Sequence, residues 1–233
     1  MLAIFNRGLA DPPQELNSPA SLQSSNKPKL PEETLKDFLS NFHPTGNTFS
    51  IGFANNALLA FAPSDRQYSI HQRLFCGVDG MYCIFLGSLR NLCALNKQYG
   101  LAKGTNEAMY VIEAYRTLRD RGPYPAHEGA DEGVKLFWGI GADRSVVISD
   151  NLEVIKASCA KSFAPFPTGC MYQNERGLTS FEHPMNKMKA MPRIDSEGTM
   201  CGATFKVDSC SKISSMPRVG SEANWATWGP LAN

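Results

Sequence analysis

HQRLFCGVDGMYCIFLGSLRNLCALNKQYGLAKGTNEAMYVIEAYRTLRDRG, residues His71–Gly122, carries the clearest punctuation in the chain. Met81–Leu86 is an apolar run set off by Asp79-Gly80 before it and Gly87 after it. A run without charge on either face predicts a strand buried on both sides. Asp-Gly ahead of it predicts a hairpin turn, with Gln72–Cys76 as the partner strand. Leu89, Leu92, Cys93 and Asn96 recur at helical spacing, so a helix is expected from Ser88 as N-cap to a stop at Gly100. A second helix is expected from Thr105 as N-cap, with an apolar stripe of Met109, Ile112, Tyr115 and Leu118. Arg116, Arg119 and Arg121 fall in its last turns, where cations suit the negative end of the helix dipole. Gly122 and Pro123 stop it.

Outside this stretch, Met1–Phe5 reads as an opening strand and Asp11–Lys29 as a polar loop. Pro31 opens a helix, with Glu32 and Glu33 in its first turn and Leu35, Phe38, Leu39 and Phe42 as its stripe, ending at His43-Pro44. Thr48–Phe53 and Ala57–Ala62 read as strands joined at Asn55-Asn56. Val134–Ile140 and Val146–Ser149 form another hairpin pattern around Ala142-Asp143, followed by one helical turn at Leu152–Lys156. Met171–Gln173 and Leu178–Phe181 flank the turn Glu175-Arg176-Gly177. From His183 onward, loops are expected, apart from a strand near Ala203–Val207. Strands at both ends with helices between them give an α+β class of antiparallel sheets covered by helices. The expected division is one domain over residues 1–211 and a mobile tail over 212–233.

Composition excludes several classes. The chain has 233 residues, 42% of them apolar, and a net charge of +1. That supports a real core and provides no electrostatic basis for binding nucleic acid. No apolar run reaches the length of about 18 residues that a membrane span needs. The N-terminus lacks the pattern of a secretory signal. Seven irregularly spaced cysteines fit reduced thiols, so a cytoplasmic location, with the nucleus as a second compartment, is expected. Cys76, Cys83 and Cys93 lack the pairing of a zinc site, and no cofactor or metal is expected. Cys170 with His183 is a weak nucleophile pair, and His71 reads as a backbone-bonding residue. Met185, Met188 and Met191 read as core lining.

Tyr99-Gly100-Leu101 and Leu118-Arg119-Asp120-Arg121 resemble the two motifs of the plant aluminium-induced proteins with YGL and LRDR motifs, and the resemblance runs from MLAIF to SMPRVGSEANW. The wider pattern is similar to the glutamine-hydrolysing domain of class II amidotransferases. That likeness implies a four-layer αββα sandwich of the N-terminal-nucleophile hydrolase type. Met1–Phe5 resembles the enzymes' opening Met-Cys-Gly-Ile, and His71-Gln72-Arg73-Leu74 their His-Arg-Arg-Leu element, whose Arg grips the glutamine carboxylate. Phe85–Asn91 resembles the turn that supplies the oxyanion hole, which maps onto Leu86 and Gly87. Thr105-Asn106-Glu107 resembles the element whose Asp holds the glutamine amine. Gly133–Gly139, Phe166–Gly169 and Phe181–Pro184 match further landmarks.

Three departures imply lost hydrolysis. Leu2 stands where the enzymes carry their nucleophilic Cys, and its bulk would hinder removal of Met1. Leu86 replaces the oxyanion-hole Asn, and losing one such donor typically costs ~10²–10³ in rate. Asn106 replaces the amine-holding Asp. The expected site is therefore a pocket remnant, Arg73, Leu86, Gly87 and Asn106, with no catalytic residue. A fourth departure is that about two strands of the family pattern are missing between Gly122–Pro125 and Gly133, which would leave an unpaired edge. The resulting expectation is an inactive amidotransferase-like binding or assembly module in plant stress or metal response. It would be homo-oligomeric and accept a small amino-acid-like ligand. An active amide hydrolase with a non-standard nucleophile is the alternative, and a purely structural dimer-forming protein a third reading.

Overall fold

Leu2-Ala3-Ile4-Phe5 alternates its side chains between two apolar covers, and that alternation places it in the middle of the molecule. The computed structural model describes residues 1–21, 27–42, 48–54, 56–62, 72–89, 91–98, 100, 105–118, 135–174, 176–183 and 185–212. In it, β1 (Leu2–Phe5) is flanked by β3 (Ala57–Phe61) and β7 (Val146–Ser149). β2 (Phe49–Phe53) forms the edge beyond β3, β6 (Phe137–Ile140) lies beyond β7, and β8 (Phe163–Pro165) closes the other edge. Every pairing in this six-stranded sheet is antiparallel.

One face of the sheet is covered by α1 (Pro31–Phe42) and α4 (Leu152–Cys159). Leu2, Ile4, Ala60 and Val147 point into this helix-side core together with Phe38, Val154, Ile155 and Cys159. The opposite face takes Phe5, Trp138, Val146 and Ile148, as the period of two requires. Packed on it are β9 (Cys170–Gln173) with β10 (Gly177–Ser180), and β11 (Asn186–Ile194) with β12 (Met200–Lys212). Trp138 is fully buried there, its ring 5.1 Å from Phe166, 5.4 Å from Tyr172 and 5.5 Å from Phe205.

The hairpin of β4 (Gln72–Val78) and β5 (Met81–Gly87) covers the β2–β3 end of the same face. Phe75 reaches Phe49 at 4.8 Å and Phe61 at 6.3 Å, and Tyr82 meets Phe53 at 4.7 Å. Asp79 (φ 50) and Gly80 (φ 77) are both left-handed, the twist that joins two strands with a two-residue turn. The helix α3 (Glu107–Leu118) packs on this hairpin and α2 (Leu92–Gln98) precedes it. Among the described residues the second layer is thus three separate two-stranded ladders.

Several expectations need correction. Met81–Leu86 is half-buried, with Tyr82 44% exposed, because a two-stranded ladder leaves its flanks open. The helix after it starts at Leu92, so Ser88 lies outside it and cannot cap it, while Gly100 does stand beyond its end at φ 65. Asn106, not Thr105, caps α3: its Oδ1 accepts the Met109 N–H at 2.9 Å. The buried face of α3 is Ala108, Tyr110 and Ile112; Met109 and Tyr115 are exposed, because only one side of the helix meets the hairpin. Residues 11–29 include short 3₁₀ turns at Gln14–Leu16 and Pro19–Ser21 and bury Leu16 completely. α4 runs beyond the single turn expected, capped by the Asn151 side chain. Phe163–Pro165 is a strand that the pattern did not announce.

The largest correction is β11, a nine-residue strand where loops were expected. Its Met188 and Ala190 pack on the inter-sheet core while Lys187, Lys189 and Met191 face out. Pro192 sits beside a register shift, where a missing N–H is tolerated. Of the methionines read as core lining, Met188 packs inward whereas Met185 and Met191 are exposed.

Gly202 of β12 shows how closely the layers meet. At φ +71, a Cβ there would stand 2.7 Å from the Phe163 carbonyl oxygen and 3.0 Å from that of Leu16. Gly202→Ala is expected to cost about 2–3 kcal/mol, combining left-handed strain with a backbone clash, and a thermal melt followed by circular dichroism measures it.

Candidate functional site

Arg73 lies on β4 on the same face as Phe75, the face turned towards the six-stranded sheet. Its guanidinium crosses to Asp150, which follows β7. Nε donates to Asp150 Oδ2 at 2.7 Å and Nη2 to the same oxygen at 2.6 Å. The other carboxylate oxygen, Oδ1, accepts the Met1 ammonium at 2.7 Å. The ladder explains this meeting: Leu2 pairs with Ser149, so the next residues along, Met1 and Asp150, lie side by side. Ser149 Oγ donates to the Met1 carbonyl at 2.7 Å and accepts the Asn151 N–H at 3.1 Å, holding the end of β7 in place.

The group is secluded. The Asp150 side chain is 5% exposed, that of Arg73 18% and that of Met1 12%. Burial pushes the Met1 ammonium below its ordinary value; Asp150 pulls it back up and the Arg73 charge adds to the lowering. One carboxylate therefore serves two cations in a space that water reaches poorly, where each hydrogen bond is stronger than at the surface. Chemically, the cluster can hold a carboxylate or be held by one. It has no thiol or hydroxyl at position 2, since Leu2 is an alkyl chain fully buried in the helix-side core.

The other expected pocket residues divide. Leu86 is directly opposite Arg73 on the ladder, and Gly87 is opposite Gln72, buried and at φ 132. Asn106 is engaged as the cap of α3, and its side-chain oxygen is spent on Met109. Of the family-motif residues, Gly100 and Leu118 are described, at the ends of α2 and α3. Tyr99, Leu101, Arg119, Asp120 and Arg121 lie outside the described residues, as do His71, Asn55, Glu175, Pro184, the His43-Pro44 stop, the Gly122–Pro125 element, and residues 213–233 of the expected tail. Arg116 bonds Glu113 at 3.1 Å and Asp79 at 3.2 Å, tying α3 to the hairpin turn.

Asp150 is the residue that sequence reading missed. Its signal is faint: an acid between a buried strand and a helix that already has Asn151 as its cap. A separate cavity of about 270 Å³ lies beyond the other end of β1, lined by Arg7, Asn17, Arg144 and Ser162 among others. Neither Arg73 nor Asp150 borders it.

A family model described as "Aluminium induced protein" matches residues 2–130 and 126–207. The chain belongs to the aluminium-induced protein family. It is 36% identical over 125 residues to the stem-specific protein TSJT1 of Nicotiana tabacum, a match spanning 54% of this chain and 81% of the relative. No solved structure matches. Membership in the aluminium-induced family points to a plant stress-related role. In this member of the family, no helix among the described residues is long and apolar enough to cross a membrane. No group of three or more His, Cys, Asp or Glu side chains among them could hold a metal ion.

Proposed function

We propose that this aluminium-induced family member is a non-hydrolysing relative of the class II glutamine amidotransferase domain, acting as a binding or assembly module in a plant stress response. The observation that carries this reading is the Arg73–Asp150 pair. The guanidinium that would grip a glutamine carboxylate in the enzymes is already gripped by a carboxylate of the protein itself. An incoming amino acid must displace Asp150 before it can dock. The alkyl side chain of Leu2, sealed under α1 and α4, supports the absence of a nucleophile. The layer order also supports the kinship: helices, a six-stranded sheet, a second layer of ladders, and α3 outside it. The family match divides at residues 126–130, where the family pattern would place about two further strands.

Incubating purified protein with glutamine and following ammonia release tests the reading. No release above the blank is expected. Turnover that disappears when Met1 or Leu2 is changed would overturn it and restore the hydrolase reading.

A further inference from the structure

Cys76 and Cys83 face each other across the β4–β5 ladder, each the direct partner of the other in the register. Both thiols are free and half-buried. Opposite residues in an antiparallel pair lie about 4.5–5.5 Å apart between Cα atoms, inside the window of about 4.4–6.8 Å that a disulfide spans. Their side chains project to the same face of the ladder, the one turned away from Phe75 and Tyr82. Among the described residues the ladder has two strands, so the local change of twist that draws the two sulfurs together strains no third strand.

The remaining described cysteines lack this arrangement. Cys93 and Cys210 are exposed, Cys159 is sealed in the core, and the half-buried Cys170 faces Ser180 across its ladder. Cys201 is buried and its Sγ–H is turned to Asp195 at 3.2 Å.

We propose that Cys76 and Cys83 form a cross-strand dithiol that a small-molecule disulfide, such as oxidised glutathione, converts into an internal disulfide, making the hairpin a reversible site of oxidative modification. The Cys76 thiolate attacks one sulfur of the glutathione disulfide. The reagent's S–S bond breaks, a mixed disulfide forms on Cys76, and one glutathione leaves as a thiol. Cys83 then loses its proton to solvent, and its sulfur attacks the Cys76 sulfur and expels the second glutathione. Two protein S–H bonds are replaced by one S–S bond, and two electrons pass to the reagent. The order follows from the environment of Cys83: burial, with the neighbouring Cys76 adding to it, pushes its thiol up to about 11, so it retains its proton until an electrophilic sulfur is beside it.

The experiment is equilibration of the folded chain in glutathione redox buffers, alkylation of remaining thiols, and mass analysis after trypsin. Arg73 and Arg90 bracket both cysteines, so both fall in one fragment, Leu74–Arg90. The expected result is that this fragment is unalkylated and two hydrogens lighter than the reduced form, at buffer ratios that leave the same chain in urea reduced. Cys76→Ser and Cys83→Ser should each abolish that species and leave a single alkylated or glutathionylated thiol. A Leu74–Arg90 fragment that carries two alkyl groups while Cys93 and Cys210 carry glutathione would overturn the proposal. The wild-type mass decides it even if a variant fails to fold.

Discussion

Asp150→Ala is expected to lower stability by about 3 kcal/mol, somewhat under the full cost of breaking a sealed ion pair because Arg73 keeps some water access. The loss arises less from the bond removed than from what remains: the Arg73 guanidinium and the Met1 ammonium left together in a secluded space without their common carboxylate. Urea unfolding followed by circular dichroism measures the change. A loss below about 1 kcal/mol would place the pair with ordinary surface ion pairs. The conservative change Asp150→Asn separates stability from binding. It keeps the shape and one acceptor oxygen but removes the charge, so Arg73 becomes available to an external carboxylate. Glutamine should then stabilise the variant in a thermal-shift titration more than it stabilises the parent. Equal response of the two proteins would show that Arg73 is not a gated carboxylate site.

Trp138→Ala is expected to cost about 3–5 kcal/mol, the range for removing a large aromatic side chain from a core. Trp138 is fully buried between the six-stranded sheet and the ladders above it, within 5.5 Å of Phe166, Tyr172 and Phe205. No other side chain joins β6, β9 and β12 in this way, among the ring contacts described. Trp138→Phe retains a ring in edge contact with those neighbours and should lose much less. Because the chain has three tryptophans, far-UV circular dichroism is the suitable probe. An alanine variant that unfolds at the parent's urea midpoint would mean that the layers are held elsewhere.

Local order was legible where one residue type has one conformational use. Asp79-Gly80 announced a hairpin, and left-handed φ values at both positions are what a tight turn between twisted strands requires. Pro31 with two glutamates opened α1, and the apolar runs at Ala57 and Val146 became strands. Legibility failed where a pattern had two uses. The Met-, Lys- and Pro-containing run from Asn186 reads as loop by composition, yet an outer ladder needs only one apolar face, which Met188 and Ala190 supply. The stripe of α3 was right at Ile112, which is buried, and wrong at Met109 and Tyr115, because they fit a helical period as well as Ala108 does and only the packed hairpin selects between them. At the site, Arg73 was marked by its motif, while Asp150 had no motif at all.

Taken alone, the order of residues determined most elements ahead of His183, the hairpins at Asp79-Gly80 and Ala142-Asp143, and the absence of a thiol at position 2, since all three are local to the chain. Tertiary structure alone decided the partner of Arg73. Asp150 is 77 residues away and reaches it only because β7 pairs with β1 while β4 lies on the layer above. A charge in a sequence shows that a partner is needed. Which partner it finds depends on which strand ends the sheets bring together, and that is a property of the packed layers.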